Sequence, residues 1–187
     1  MPNICLYSMC VKGKKENIEE FIKVIQADYD YDKMKFTHDR HLFRVFSADD
    51  NGIEQVDDND VYEVIINGDC AWSVGSCMFE SYYYNSLKER FPNEFRGTTL
   101  QIESERLGLD IEVYSEESGC CFQEHYVICN GDIVVDESED WYEYYIGDYE
   151  TKAEAEEDLG ITITDEEWNS GEDFISRGGF GSWDFDI

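Results

Sequence analysis

The residue types that could do chemistry in this chain are few, and their spacing argues against each chemistry in turn. Asp28, Asp30 and Asp32 fill the first, third and fifth places of a calcium-loop pattern, in which alternate carboxylates converge on one cation. Its sixth place holds Lys33 instead of glycine and its twelfth Asp39 instead of glutamate, so the segment reads as a solvated acidic turn. His38 and His41 have helical i, i+3 spacing beside Asp39 and could form two metal ligands or an acid/base pair. No third ligand is evident, and they read as surface residues. Zinc would need paired cysteines, but there is no Cys-x-x-Cys, and the adjacent Cys120 and Cys121 would point to opposite faces of a strand. A thiol nucleophile needs a base within hydrogen-bond reach. His125 lies four strand residues from both Cys121 and Cys129, roughly 13 Å away. Gly178-Gly179-Phe180-Gly181 follows no strand and lacks the lysine of a phosphate-binding loop. The expectation is a protein without catalytic residues, metal or cofactor, and not an enzyme.

Carboxylates acting together are the remaining chemistry. The 187 residues hold 44 Asp and Glu against 14 Lys and Arg, a formal charge of −30. The imbalance begins after Ser47: up to there 8 basic residues face 7 acidic ones, and beyond it 6 face 37. Such self-repulsion destabilises a compact state. Salt adaptation would spread the acidity and deplete lysine throughout, whereas the first 47 residues keep 6 Lys and 2 Arg. A rigid acidic surface can compete for a channel that normally holds DNA or RNA phosphates. Candidate partner-binding residues are the loop acids Asp57, Asp58 and Asp60, the strand acids Asp110 and Glu112, and the helical acids Glu154, Glu156, Glu157 and Asp158. Glu139 and Asp140 join them, with Trp141 and Tyr145 as aromatic anchors.

These side chains need elements to hold them. Aromatics make up 15% of the chain, too many for a disordered acidic brush. Asn3–Val11 reads as a strand and Lys14–Gln26 as a helix with Ile18, Phe21, Ile22 and Ile25 on one stripe. Leu42–Phe46 and Val61–Ile66 read as strands, Ala71–Phe79 as a buried segment, and Tyr83–Arg90 and Thr98–Leu107 as helices, the second stopped by Gly108. Leu109–Ser115 alternates apolar and acidic residues. Cys121–Cys129 and Asp132–Val135 flank Asn130-Gly131, a strong hairpin signal. After Asp136 the composition shifts: Glu137–Asp173 carries 15 acids and one base. Within it Thr151–Leu159 and Thr164–Trp168 both open with Thr followed three residues later by Glu, the capping-box pattern. The domain expectation is 1–136 as the main unit and 137–187 as an acidic, aromatic-rich extension packed on it or continuing it. The seven cysteines mostly sit in apolar runs and read as reduced, buried thiols. No long apolar run, leader or lipidation signal is visible, so a soluble protein in the bacterial cytoplasm is expected.

The opening MPNICLYSMCVKG and the region Trp72–Ile133, with Phe91-Pro92, Tyr114-Ser115-Glu116-Glu117, Gly119, Phe122 and Asn130-Gly131, resemble the YubB ferredoxin-like family of phage and plasmid proteins. The resemblance implies an α+β fold with a ferredoxin-like antiparallel sheet and helices on one face. It carries over no catalytic residues. With the charge, it leads to the expectation of a stoichiometric inhibitor from a mobile element. Such a nucleic-acid mimic would block the basic channel of a host defence nuclease, in the anti-CRISPR or anti-restriction manner, without touching nucleic acid or membrane. The alternatives are an immunity protein for a basic nuclease toxin and a carboxylate-metal enzyme acting on nucleic acid. Oligomeric state is not legible.

Overall fold

A computed structural model describes residues 3–56, 59–92 and 94–187. The elements run β1 (Ile4–Gly13), α1 (Lys15–Ile25), β2 (Tyr29–Asp30), β3 (Lys35–Phe36), β4 (His41–Leu42), β5 (Val45–Asp50), β6 (Glu54–Gln55), β7 (Tyr62–Ala71), α2 (Val74–Met78) and α3 (Tyr82–Arg90). They continue as β8 (Gly97–Thr98), α4 (Leu100–Leu107), β9 (Asp110–Glu117), β10 (Phe122–Cys129), β11 (Asp132–Tyr145), α5 (Lys152–Leu159), α6 (Asp165–Asn169) and β12 (Phe174–Gly178). The protein is α+β. Its main sheet is antiparallel in the order β12-β11-β10-β9-β1-β7-β5, with β6 pairing farther along the same edge of β7. No helix of the described residues is long and apolar enough to cross a membrane.

The core sits on one face of this sheet. Strand alternation turns Cys5, Tyr7, Met9 and Val11 of β1 to the same side as Val64 and Ile66 of β7, Ile111 and Val113 of β9, and Ile128 of β10. Ile18, Phe21 and Ile25 of α1 cover them, joined by Val74, Cys77 and Met78 around α2 and by Leu100 and Leu107 of α4. Each such side chain contributes about 1.5–3 kcal/mol of burial free energy. The helix ends follow local chemistry: the Thr99 hydroxyl accepts from the amide of Ile102 at the start of α4, and Gly108 ends it at φ +60°. The seven cysteines are free; Cys5, Cys10, Cys70 and Cys77 are buried. Cys120 and Cys121 lie in the turn between β9 and β10, not on a strand.

Two features differ from the expected outline. Asn130 (φ +48°) and Gly131 (φ +90°) make the tight turn, but β11 runs 14 residues beyond it, not four. The compositional boundary between 136 and 137 therefore falls inside one strand, and the sheet continues across it. The end of that strand leads to a second, small core. Ile146, Ala155, Ile163 and Ile175 meet there, with Tyr149, Leu159, Ile161 and Trp168 packed around them. Both capped helices form, α6 with a reciprocal capping box between Thr164 and Glu167.

The balanced-charge segment behaves differently from its surface reading as well. His38 lies 3.3 Å from Glu20 and its Nδ1 accepts from the Arg40 amide, but His41 is only 8% exposed. Its ring stacks on Phe36 at 3.6 Å and its Nδ1 has no hydrogen-bond partner among the described residues. The two histidines therefore do not act as a pair. Beside them the carboxylate of Glu103, fully buried, receives Arg40 Nε at 2.6 Å, the Thr98 hydroxyl at 2.6 Å and Arg106 Nε at 2.9 Å. Burial pushes its pKa up, but the combined bonds from Thr98, Arg106 and Arg40 outweigh this and hold it below the usual carboxylate value.

Two outcomes follow. Glu103→Gln removes the counter-charge of Arg40 and the nearer of the two carboxylates beside Arg106, both guanidinium groups being about one-third exposed, and should destabilise the fold by about 1–3 kcal/mol in urea denaturation. Burial lowers the His41 pKa from 6.5 to about 4. The unfolded chain therefore binds the extra proton first, and this stability is complete above pH 6.5 and lost as pH falls toward 4. His41→Phe should flatten that limb by about 3 kcal/mol, read from denaturation midpoints across the range.

Candidate partner-binding surface

On the face of the sheet opposite the helices, the last residues of the chain cover β9 and β10, while Ile4 and Leu6 of β1 stay exposed. Gly178 and Gly179 take φ +80° and +69°, and a Cβ on them would come within 2.2 Å of Asp140 O and Gln123 Oε1 respectively. Only glycine fits there, and the chain turns back over the strands. The Phe180 amide donates to Gln123 Oε1 at 2.9 Å. Beyond it, Phe180, Trp183 and Phe185 gather on Tyr114, with the Trp183 ring stacked at 5.8 Å. Tyr114 itself stacks on His125 at 4.0 Å.

Glu112 fastens this strap. Its Oε1 lies 2.9 Å from His125 Nε2, and its Oε2 accepts the amides of Asp186 at 2.7 Å and Ile187 at 3.2 Å. Lys12 bonds to the Ile187 carbonyl oxygen and lies 3.4 Å from Glu63. Glu112 is thus 2% exposed and internal, which corrects the expectation that it faces a partner. His125 serves Glu112 rather than either cysteine.

Other glutamates are also internal. Glu124 accepts the amides of Val74 and Gly75 and the hydroxyls of Ser115 and Tyr126, all at 2.9–3.3 Å. Glu117 accepts from the Gly119 and Cys120 amides and shapes the β9–β10 turn.

Six of the acids left outside lie along β11. Asp132, Asp136, Glu137, Glu139, Asp140 and Glu143 are all exposed. The strand pairs with β10 as far as Asp140 and with β12 only from Trp141 on, so its first part presents an unpaired edge. Charge on such an edge also prevents another strand from adding to it. Glu139 and Asp140 lie here on opposite faces, but Trp141 is 7% exposed and turns inward, so it offers no anchor on the surface as folded. Tyr145 is 44% exposed, with its ring 5.1 Å from Phe174 and its hydroxyl donating to Asp148.

At the far end of the same strand, α5 packs Ala155 into the small core, with Glu154 and Glu157 exposed. Glu156 accepts the Ile163 amide at 2.9 Å and Asp158 the Tyr149 hydroxyl at 2.6 Å, so both help hold this lobe together. Asp60 is exposed at φ +65° before β7, four strands from β11, and Asp110 is exposed at the start of β9. Asp57 and Asp58 lie outside the described residues. The structure therefore brings Glu139, Asp140, Glu154 and Glu157 to one strand and its continuation, adds Asp136, Glu137 and Glu143, and leaves Asp60 and Asp110 elsewhere. Among the described residues, no three His, Cys, Asp or Glu side chains are arranged to hold a metal ion. Comparison with protein-family models, with curated proteins and with solved structures finds no match.

Glu112→Gln places an amide donor against one of its three present donors and should cost about 1–3 kcal/mol. Limited proteolysis should then cut within residues 179–187 well before it cuts the sheet.

Proposed function

We propose that this protein is a stoichiometric acidic inhibitor that occupies the basic channel of a nucleic-acid-binding defence nuclease in place of DNA or RNA. The observation that carries this reading is the row of carboxylates fixed on β11. Six acids from Asp132 to Glu143 span roughly 36 Å at about 3.3 Å per strand residue. Alternation divides them between two faces, Glu137, Glu139 and Glu143 on one and Asp136 and Asp140 on the other, so each face is sparser in charge than one strand of a duplex, with its phosphates about 3.4 Å apart. Glu154 and Glu157 of α5 are exposed as well, and the sheet holds the β11 acids in place, as a disordered acidic tail could not.

The fold reading belongs here too. The sequence β1-α1-β5-β7, then helices, then β9, with spatial order β9-β1-β7-β5, supports a ferredoxin-like core to which β10, β11 and β12 are added. The resemblance to the YubB family supports the mobile-element origin and a bacterial cytoplasmic setting. The partner is a basic protein, not nucleic acid.

Passing a bacterial lysate over the immobilised protein and eluting with a salt gradient should release one nucleic-acid enzyme at intermediate salt. Adding the inhibitor back should abolish that enzyme's substrate binding. Affinity should fall at least about tenfold between low and physiological salt. The triple substitution Asp136→Asn, Glu139→Gln and Asp140→Asn should weaken inhibition by a similar factor with the circular dichroism unchanged, each single change much less. Release of abundant basic proteins alone, all at low salt, would make the charge a nonspecific polyanion and sink the reading.

A further inference from the structure

Where the strap crosses the sheet it leaves a cavity of about 540 Å³ between β9–β12 and the returning chain. Two indoles, Trp141 and Trp183, and two carboxylates, Glu116 and Glu143, line it together with Gln123 and Ser176. We propose that this cavity receives the guanidinium of an arginine side chain, held over the indoles and paired with the two carboxylates.

The wall chemistry selects the ligand. Indole faces attract cations, and a planar guanidinium both stacks on a ring and donates in parallel to carboxylates. The protein already makes this contact within itself: the Arg44 guanidinium lies 4.3 Å from the Trp72 ring centre. Glu116 accepts from Gln123 Nε2 at 3.1 Å, while Glu143 has no hydrogen-bond or cationic partner among the described residues. Burial, reinforced by the negative charge of Glu143, raises the Glu116 pKa against the opposing Gln123 hydrogen bond. A cation between the two carboxylates would relieve that repulsion. The walls are also fixed in advance: Gly178 and Gly179 permit the turn, Gln123 is held by the Phe180 amide, and Trp183 is stacked on Tyr114. Little ordering therefore remains to be done on binding.

That the arginine belongs to a protein partner rests on the function proposed above; the cavity's preference for a guanidinium does not. The test uses the full chain at physiological salt, titrated with three blocked tripeptides, glycine flanking a central arginine, lysine or citrulline, and followed by the indole N–H resonances of its four tryptophans. The arginine peptide should shift Trp141 and Trp183 alone. The lysine peptide should bind several-fold more weakly and the citrulline peptide not at all. Glu143→Gln, which removes an exposed carboxylate, should weaken arginine binding by at least about fivefold, and Trp183→Phe should weaken it less.

Equal response to arginine and citrulline, equal affinity for lysine, shifts spread over all four indoles, or no effect of Glu143→Gln would each overturn the proposal. If the peptide binds as expected and no enzyme is captured from the lysate, the cavity stands and the inhibitor reading falls. If the enzyme is captured and the peptide result fails, only the cavity assignment is lost.

Discussion

A carboxylate can enter a protein interior only if donors go in with it, and this constraint sorts the acids of the chain into two populations. Glu103, Glu112, Glu117 and Glu124 are inside, and each is surrounded by amides, hydroxyls, a histidine or guanidinium groups. Their contacts join segments far apart in sequence: Arg40 to α4, the end of the chain to β9, the start of α2 to β10. The acids outside are consequently presented on a framework in which other acids act as fasteners. Glu112 is the clearest case, since it holds Asp186 and Ile187 and so helps fix the strap over β9 and β10 that carries Trp183.

This arrangement explains how a charge of −30 coexists with a compact structure. Removing a few carboxylates from the surface and pairing them reduces the repulsion only slightly. The greater effect is distance between groups: although the acids of β11 are close neighbours, exposed acids also lie on β5, β6, α3, α4, α5 and α6 and at the start of β7 and β9. Beyond about 8–10 Å, exposed charges are largely screened at physiological salt. On the proposed reading, a basic channel approaching that surface would displace the screening ions, so a charge that costs the isolated protein little would become available to an association.

Local chemistry was legible in the residues, and long-range closure was not. The stripe of α1, the Asn130-Gly131 turn, the Gly108 stop of α4 and the capping box of α6 each depend on residues within a few positions of one another, and each is present. Alternation in β9 likewise separates two faces, but it cannot say which of them is wet. Asp110 and Glu112 look alike in the sequence; one is exposed and the other is covered by a segment 74 residues later. The same limit applies to His41, which is buried by its stack on Phe36 in a segment whose composition resembles surface. The length of β11 was hidden for the opposite reason, because acidic residues suppress the apolar alternation that marks a strand. Pairing with β10 and β12 supplies its stability instead.

The glycine-rich end shows how a feature empty of one chemistry can supply another. Gly178-Gly179-Phe180-Gly181 makes no phosphate loop; its positive φ angles reverse the chain so that Trp183 returns over the sheet. Without that reversal, Glu116 and Glu143 would be two more surface acids, interchangeable with their neighbours and recognised only by their charge. With it, they stand beside two indoles in a cavity of defined shape, and shape is what a diffuse negative field lacks. On the proposed reading, electrostatic attraction would bring basic partners to the surface at comparable rates, and discrimination among them would require a place where one cationic side chain fits and another does not. The strap provides such a place at the end of the acidic strand.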